Sequence, residues 1–453
     1  MNENNDNPLE RWLHPLPFGI FLALALFACY PQVLAGMESF FSRDYGVLGY
    51  PNIHFQHECF ARGELPMWNP YSNCGQPFLA QWGTMSLYPF SLIYLLLPLP
   101  WSLSLFCFLH VWLGGMGMHA LARHWTQTNS AGALAGTTYV FSGIMFASFI
   151  WPNYLVALGW MPWVVLLAER AWREGGRWLT GASLAGGMQM LSGAPEVILF
   201  TWLIAGVLWL CDAASNPGSV KPLLKRLVSV ILITAGLAAA QLLPFFDLLQ
   251  LSHRDVAFGT AKWQLPLWGW ANFFVPLYNT FEAPSGQYYQ YDQGFLSSTY
   301  LGGVVVALAL VGIFRWPDLR VHVLLLLAAL GVVMAFGDHT PVFRSVRELV
   351  PFVGLGRYPV KFLFLLSFVV PLLAGCGLAA VAKSRLNTGV LMAGLFVLAI
   401  MLAVGWAVHG QRFVDYSEWP RNFRDNLAYT WRTTTPGGFL PDGIMNLEHQ
   451  RVR

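Results

Sequence analysis

The sequence predicts an all-α polytopic membrane protein with about 11 transmembrane helices (10–12), each close to the ~20 apolar residues that a span requires. Two further observations support this prediction. Only 11% of the 453 residues are charged, whereas about a quarter are charged in a soluble domain, and the mean hydropathy is +0.50. Since no segment shows the alternating pattern of a transmembrane barrel, the spans are predicted to be helices.

The first apolar run, 16–36, is interpreted as an uncleaved first span. Three acidic residues and a single arginine, Arg11, precede it, whereas a secretory signal peptide begins with positive charge and has a shorter apolar core. Val33-Leu34-Ala35 would serve as a cleavage site, so a cleaved signal peptide is the alternative interpretation.

The later spans alternate with short polar breaks that carry charge unevenly. The predicted spans are 101–122, 131–150, 154–170, 179–193, 196–211, 227–250, 296–314, 321–337, 361–381 and 388–408. Eleven Lys and Arg residues lie in one set of breaks, at 123–130, 169–178, 212–226, 315–320 and 383–385. The alternate breaks at 151–153 and 193–196 contain none. The positive-inside rule therefore places the first set and the N-terminus in the cytoplasm.

This orientation requires that residues 86–100 do not cross the membrane. The stretch is short and contains three prolines, which suits an interfacial or re-entrant helix better than a span. Residues 1–408 then form the transmembrane domain, with interfacial helices in the first external loop, and 409–453 form an external tail. The predicted external loops are 37–85, 251–295 and 338–360.

Asp44 is the leading candidate for chemistry in the first external loop. It lies eight residues beyond the first span and between Arg43 and Tyr45. A carboxylate at that position can act as a general base or bind a divalent cation. The alternative is a solvated loop acid paired with Arg43.

A second candidate site is the segment GLGRYPVKFLF, 354–364, at the predicted external start of a late span. Pro359 suits a first helical turn, and the free N–H groups of a helix start favour an anion. Arg357 and Lys361, four residues apart on either side of Tyr358, would lie on one side of that turn and hold a phosphate. The alternative is a pair of snorkelling interface cations. Arg344 and Arg347 add positive charge nearby.

Other external residues have both a functional and a structural interpretation. Glu196 begins a span, where it would bind a hydroxyl or assist Asp44, although an acid in a first helical turn is also favoured by the helix dipole. The aromatic-rich second loop, with Asp292 and Glu282 among its rings, would stack on sugars or form an interfacial aromatic belt. Glu64, Trp68 and Asn69 crowd the polar first loop.

Two further features of the first loop leave alternatives open. His54, His57 and Glu58 have a spacing that would bring them together on a short helix and hold a metal, but the order H-x-x-H-E matches neither H-E-x-x-H nor H-x-x-E-H. Cys59 and Cys74 are the cysteines placed outside, and either a disulfide or two free thiols is compatible with the sequence.

Several function classes lack support in the sequence. There is no Walker A motif, no GxGxxG before a helix and no GxSxG. Acidic residues are scarce within the predicted spans, which argues against an ion-coupled transporter. No basic cluster interleaved with aromatics indicates a nucleic-acid partner.

Several short motifs follow one another in a fixed order along the chain. They are Asp44, Tyr50-Pro51, GELPMWNPYSNCGQPF at 63–78, YPF at 88–90, YLGG at 300–303, GRYPVKF at 356–362 and LLAGCGL at 372–378. Taken in order, these motifs resemble the YfhO-like family of bacterial membrane proteins, within the membrane glycosyltransferases of the GT-C fold class. The resemblance covers the order of elements from about 16 to 408.

The resemblance implies a GT-C-like bundle in the bacterial cytoplasmic (inner) membrane, with an active site on the external or periplasmic side. It implies transfer of a sugar from a polyprenyl-phosphate-linked donor to a glycan, lipid or protein acceptor. Asp44 would be the catalytic base of an inverting reaction. The implied donor-phosphate residues are Arg357, Tyr358, Lys361 and Arg347, and the implied sugar or acceptor residues are Glu64, Trp68, Asn69, Glu196 and Asp292.

No cofactor is expected to be required. Arg43-Asp44-Tyr45 contains one acid rather than a pair, so a divalent cation is not supported, and a phosphate held by Arg and Lys can depart without a metal. Besides donor, acceptor and membrane lipids, a partner subunit that supplies acceptor binding is an expected partner. The alternative functions are a non-catalytic protein that handles lipid-linked glycans, as a flippase component or assembly subunit, and a metal-dependent hydrolase.

Overall fold

The computed structural model describes residues 8–252, 262–283, 287–350 and 356–383, with 394, 395 and 398. The helices are α1 Pro8–Trp12, α2 Pro15–Cys29, α3 Pro31–Leu34, α4 Tyr50–Ala61, α5 Ile93–Leu96, α6 Trp101–Thr126, α7 Asn129–Val140, α8 Gly143–Ala147, α9 Pro152–Glu174, α10 Arg177–Met190, α11 Pro195–Ser215, α12 Val220–Gln250, α13 Gly303–Arg315, α14 Leu319–Ala335, α15 Pro341–Leu349 and α16 Leu363–Lys383. Two small antiparallel hairpins pair β1 Trp68–Asn69 with β2 Gln76–Pro77, and β3 Thr280–Glu282 with β4 Tyr288–Gln290.

The described residues form a helical membrane protein, as the composition predicts. Six helical segments are long and apolar enough to cross a membrane: Trp101–Thr126, Asn129–Ile150, Pro152–Glu174, Pro195–Ser215, Pro217–Gln250 and Pro359–Lys383. Three shorter apolar helices are Pro15–Cys29, Gly303–Arg315 and Leu319–Ala335.

The prediction of about 11 spans is therefore wrong for the part of the chain that the structure describes. Helices break inside apolar runs: Pro31 begins a separate turn after α2, and Gly302, at φ 97°, delays the start of α13. Helix α10 has only 14 residues, a rise of about 21 Å against a bilayer core of about 30 Å. The predicted span 388–408 and the tail 409–453 fall outside the continuous described ranges.

Residues 86–100 contain no helix long enough to cross a membrane. They form a 3₁₀ turn, Pro89–Leu92, followed by the single turn of α5. The first predicted external loop contains α4, a helix of 12 residues that is too short to span a membrane. That a helix of this loop lies at the membrane interface stays a prediction.

Helix α16 lies at the centre of the bundle and is buried without interruption from Leu363 to Gly377. Close approach to α13 depends on two glycines. A Cβ on Gly377 would lie 1.9 Å from the Leu308 carbonyl oxygen, and one on Gly312 would lie 2.4 Å from that of Leu373. Small residues thus allow the backbones of apolar helices to touch.

The two ends of the bundle are chemically different. At the end where α9, α11 and α16 begin, called the Asp44 end, lie Asp44, Tyr154, Glu196 and Lys361. At the opposite end, called the Glu169 end, the buried Glu169 carboxylate accepts from Trp125 Nε1 at 2.8 Å. It also pairs with the guanidinium groups of Arg173 and Arg320 at 2.8 and 2.7 Å, so this carboxylate ties α6, α9 and α14 together.

Candidate functional site

Asp44 is held by a tryptophan at the start of a bundle helix. It precedes a short π-helical turn, Tyr45–Gly49, and is half-buried. Its Oδ2 accepts a 2.7 Å hydrogen bond from Nε1 of Trp151. Trp151 is the residue before Pro152, which opens α9. The carboxylate is therefore fixed to the packed bundle rather than to its own loop alone.

Arg43 points toward the second predicted external loop instead of pairing with Asp44. Its backbone has a left-handed φ of 51°, and its NH1 donates to the Tyr289 hydroxyl at 2.6 Å and to the Gly294 carbonyl at 2.8 Å. Burial raises the pKa of the Tyr289 phenol, although the charge of Arg43 opposes that rise. The phenol keeps its proton and donates to Gln287 Oε1.

Four rings, Trp151, Trp263, Phe295 and Tyr358, contact one another and form an aromatic wall that both candidate charge centres touch. Trp151 and Phe295 stack with centroids 4.1 Å apart and ring planes at 16°. Phe295 lies 5.4 Å from Tyr358, and Tyr358 lies 4.4 Å from Trp263. The wall thus brings together three segments that are far apart in the sequence. They are the start of α9, the second predicted external loop and the segment before α16.

Lys361 also contacts this wall and forms a buried ion pair. It belongs to a 3₁₀ turn, Pro359–Phe362, and is 6% exposed. Its Nζ pairs with Glu196 Oε1 and lies 5.2 Å from the ring centroids of both Phe295 and Tyr358. The Tyr154 hydroxyl donates to the other Glu196 oxygen at 2.8 Å. Burial of such a pair is tolerated because both charges are partnered and hydrogen-bonded.

Arg357 differs from the prediction in its local structure. It lies two residues before the 3₁₀ turn, with a left-handed φ of 61°, and α16 itself begins only at Leu363. Arg357 and Lys361 therefore do not share one face of a helical turn. The Arg357 guanidinium lies 5.5 Å from the Tyr358 ring centroid, so this cation remains attached to the aromatic wall.

The remaining predicted binding residues have mainly local contacts in the described structure. Glu64 is exposed and pairs with Arg62 at 3.0 Å. The Asn69 side chain is buried and accepts from the Tyr71 backbone N–H at 2.9 Å, which shapes the tip of the first hairpin. The neighbouring Trp68 in β1 is 55% exposed.

Two further predicted residues lie on other segments. Asp292 is exposed, with a left-handed φ of 64°. The Arg347 guanidinium in α15 lies 5.7 Å from the Phe343 ring.

The metal alternative gains no support from the first loop. His54 and Glu58 approach each other to 3.8 Å on α4, and about half of each side chain is exposed. Among the described residues, no group of three or more His, Cys, Asp or Glu side chains is arranged to hold a metal ion. Cys59 and Cys74 are both free thiols, and burial raises the pKa of Cys59.

Sequence reasoning did not single out Trp151, Tyr154, Tyr289 or Phe295 as site residues. Trp151 and Tyr154 flank one of the two uncharged breaks, the same class of break that contains Glu196. That shared position was a signal that they lie at the same end of the bundle as Asp44. Tyr289 and Phe295 belong to a loop with so many rings that composition did not distinguish them.

Two comparisons with known proteins identify no relative of this chain. A scan against protein-family models finds no match, and a search of curated proteins finds no significant match.

Proposed function

We propose that the chain is a membrane glycosyltransferase that passes a sugar from a polyprenyl-phosphate-linked donor to an acceptor hydroxyl at the Asp44 end. One observation supports this above others: Asp44 and Lys361 both contact the same aromatic wall. Trp151 holds the acid, and Phe295 and Tyr358 lie against the amine. A general base and a phosphate-binding cation flanking ring surfaces suit a sugar phosphate.

The charges around the wall favour an anionic ligand. Arg43, Lys262, Arg357 and Lys361 each lie within 6.0 Å of a ring centroid of the wall, and the carboxylates of Asp44 and Glu196 bond to Trp151 and Lys361. Cations therefore outnumber carboxylates around the wall, which suits a phosphodiester. Lys361 is already paired with Glu196, so the donor phosphate would share this amine with Glu196 and take a second contact from Arg357.

In the proposed reaction, Asp44 removes the proton from the acceptor hydroxyl while that oxygen attacks the anomeric carbon of the donor. The bond between the anomeric carbon and the phosphate oxygen breaks, and the polyprenyl phosphate leaves with the bonding electron pair. Arg357 and Lys361 stabilise the negative charge that collects on the leaving phosphate. Attack opposite to departure inverts the anomeric centre.

Glu196 and Trp151 have positioning roles in this proposal. Glu196 fixes Lys361 against the rings and is itself oriented by Tyr154. Trp151 orients the Asp44 carboxylate. No step of the proposed reaction requires a metal-bound intermediate. The acceptor hydroxyl belongs to a glycan, a lipid or a protein.

The proposal is tested with Asp44→Asn in purified protein reconstituted into liposomes with a panel of polyprenyl-phosphate sugars. Release of polyprenyl phosphate reports turnover for any sugar. We expect the variant to lose turnover by at least about a hundredfold, within the usual range for a general base, and to bind polyprenyl phosphate normally. Asp247→Asn, a change at an exposed carboxylate near the end of α12, is the matched control. Full turnover by a folded Asp44→Asn protein would exclude this assignment.

A second candidate is a non-catalytic protein that handles lipid-linked glycans. It is favoured by the fact that Asp44 and Lys361 both already have partners, Trp151 and Glu196. Such a protein would bind polyprenyl phosphate through the same cations. Neither the wild-type protein nor the Asp44→Asn variant would then release polyprenyl phosphate from any donor. The reconstitution experiment therefore separates the two candidates.

A further inference from the structure

A cavity of about 770 Å³ lies at the Glu169 end, far along the helices from the aromatic wall. It is enclosed by the N-terminal segment, the ends of α6, α9 and α16, and the starts of α7 and α10. The residues of α9 that line the cavity change from apolar to charged along the helix. Trp163, Leu166 and Leu167 lie one to two turns inside the bundle, whereas Arg170 lies nearer the helix end. The inner part of the cavity is therefore apolar and the outer part is charged.

Two cations at the outer part have no anionic partner in the described structure. Arg123, in the last turn of α6, forms no ion pair there, and neither does Lys383, the last residue of α16. The Lys383 ammonium lies 4.7 Å from the Trp316 ring centroid. Both cations are exposed at the cavity, where they can attract an anionic headgroup.

The other charged groups of the cavity are already engaged. The Arg170 guanidinium pairs with Glu174 at 2.9 Å and lies 3.6 Å from the Trp178 ring centroid. The Glu10 carboxylate accepts from the backbone N–H groups of Asn129 and Ser130, at 2.6 and 3.2 Å, at the start of α7. The carboxylate is thus held at the start of α7 and forms no ion pair with Arg123 or Lys383 in the described structure. The lining carries three cations, Arg123, Arg170 and Lys383, against this one carboxylate.

We propose that this cavity binds an anionic membrane phospholipid, with its phosphodiester between Arg123 and Lys383 and an acyl chain against Trp163, Leu166 and Leu167. Basic pockets between transmembrane helices bind anionic headgroups in this way. Trp178 lies beside Arg170 in the outer part of the lining, and tryptophan is favoured at the level of lipid headgroups. A soluble phosphate would use the two cations but not the apolar inner wall. The site is at the opposite end from the proposed reaction and is independent of it.

The test measures lipid binding to the full purified chain by native mass spectrometry. Phosphatidylglycerol and phosphatidylcholine with identical acyl chains are titrated in separate experiments. We expect wild type to prefer phosphatidylglycerol. The double variant Arg123→Gln/Lys383→Gln should bind phosphatidylglycerol about thirty-fold more weakly, from the loss of two headgroup-level cations, with phosphatidylcholine binding unchanged.

The matched control is Lys221→Gln/Lys225→Gln. Both lysines are exposed near the start of α12, at the same end of the bundle, and neither lines the cavity. This variant should bind both lipids as wild type does. The charge-preserving variant Arg123→Lys/Lys383→Arg should keep the preference.

Three outcomes would overturn the proposal. One is equal binding of the two lipids by wild type, and another is an equal loss of phosphatidylglycerol in the control variant. The third is displacement of phosphatidylglycerol by glycerol 3-phosphate at matching concentrations, which would assign the cavity to a soluble phosphate. Should the double variant fail to fold, the single variants decide, and unchanged phosphatidylglycerol binding in both would exclude a lipid site.

Discussion

The indole Nε1 of Trp151 donates a 2.7 Å hydrogen bond to the Asp44 carboxylate. The two residues are 107 positions apart, and the bond joins the turn after the first predicted span to the start of α9. The same indole ring stacks on Phe295, which in turn lies beside Lys361. The Trp151 side chain therefore orients the Asp44 carboxylate and, through its contact with Phe295, links Asp44 to Lys361.

Trp151→Phe should lower turnover while keeping the protein folded. Phenylalanine retains a ring to stack on Phe295 but cannot donate to Asp44. A hydrogen bond to a charged group contributes about 1.5–3 kcal/mol, so we expect turnover to fall about ten- to hundredfold in the liposome assay. Trp163→Phe is the control, because it removes an indole bond of similar length, 2.9 Å to the Leu113 carbonyl, away from the site. Equal losses in both variants would mean that the bond to Asp44 has no special role.

Breaking the Lys361–Glu196 pair should destabilise the protein strongly. Both side chains are largely buried, at 7% and 11% exposure, and removing one partner leaves the other charge buried alone. We expect Lys361→Met and Glu196→Gln each to lower the free energy of unfolding by about 3–5 kcal/mol. Because the double variant leaves no lone charge, its loss should be clearly smaller than the summed single losses. Denaturant unfolding of the four proteins in micelles measures this coupling.

The exposed Arg62–Glu64 pair provides the comparison for that cycle. Its side chains are 54% and 60% exposed, and solvent-exposed pairs contribute little to stability because water and salt screen them. Arg62→Gln should therefore leave the unfolding free energy nearly unchanged. Strict additivity of the Lys361 and Glu196 variants would contradict the view that these two charges depend on each other.

Much of the helical bundle could be predicted from the sequence. The apolar runs that predict α6, α9, α11 and α16 coincide with described helices within a few residues, because a long apolar run has few alternatives to a helix in lipid. This holds even for α9 and α16, which contain Pro162 and Pro371. The count of spans was less predictable. Helix α2 ends at Cys29 because Pro31 begins a separate turn. Local breaks of this kind decide whether an apolar run forms a helix long enough to cross the membrane.

The candidate site was predictable in its charged members and not in their partners. Asp44, Glu196 and Lys361 stand out because charge is rare in this chain. That Glu196 pairs with Lys361 is a tertiary fact, since 165 residues separate them and no local pattern links two helix starts. Arg357 was assigned to a helical turn from its spacing to Lys361, but its left-handed backbone lies outside that turn.

Glu169→Gln should lower stability without lowering the affinity for polyprenyl phosphate. The Glu169 carboxylate is fully buried and meets Trp125, Arg173 and Arg320 at the end opposite Asp44. Loss of its charge should cost about 3 kcal/mol of unfolding free energy. Glu174→Gln, at a carboxylate 46% exposed, should cost less than about 1 kcal/mol. Weaker polyprenyl phosphate binding by the folded Glu169→Gln protein would place the phosphate site at the Glu169 end. This would contradict the proposed site beside Lys361.

Labelling of cysteines in intact cells should show which end of the bundle faces outward. Cys74 is exposed, and its hairpin leads to Trp82, whose indole bonds the Met190 carbonyl at the end of α10 at 2.5 Å. Arg177 begins α10 and so lies at the opposite end. Because Lys and Arg collect at the Arg177 end, the positive-inside rule places that end in the cytoplasm. A membrane-impermeant maleimide should label Cys74 from outside, and should label a Cys74→Ser/Arg177→Cys variant only after permeabilisation. The reverse pattern would put Asp44 and Lys361 in the cytoplasm, where an external lipid-linked donor could not reach them.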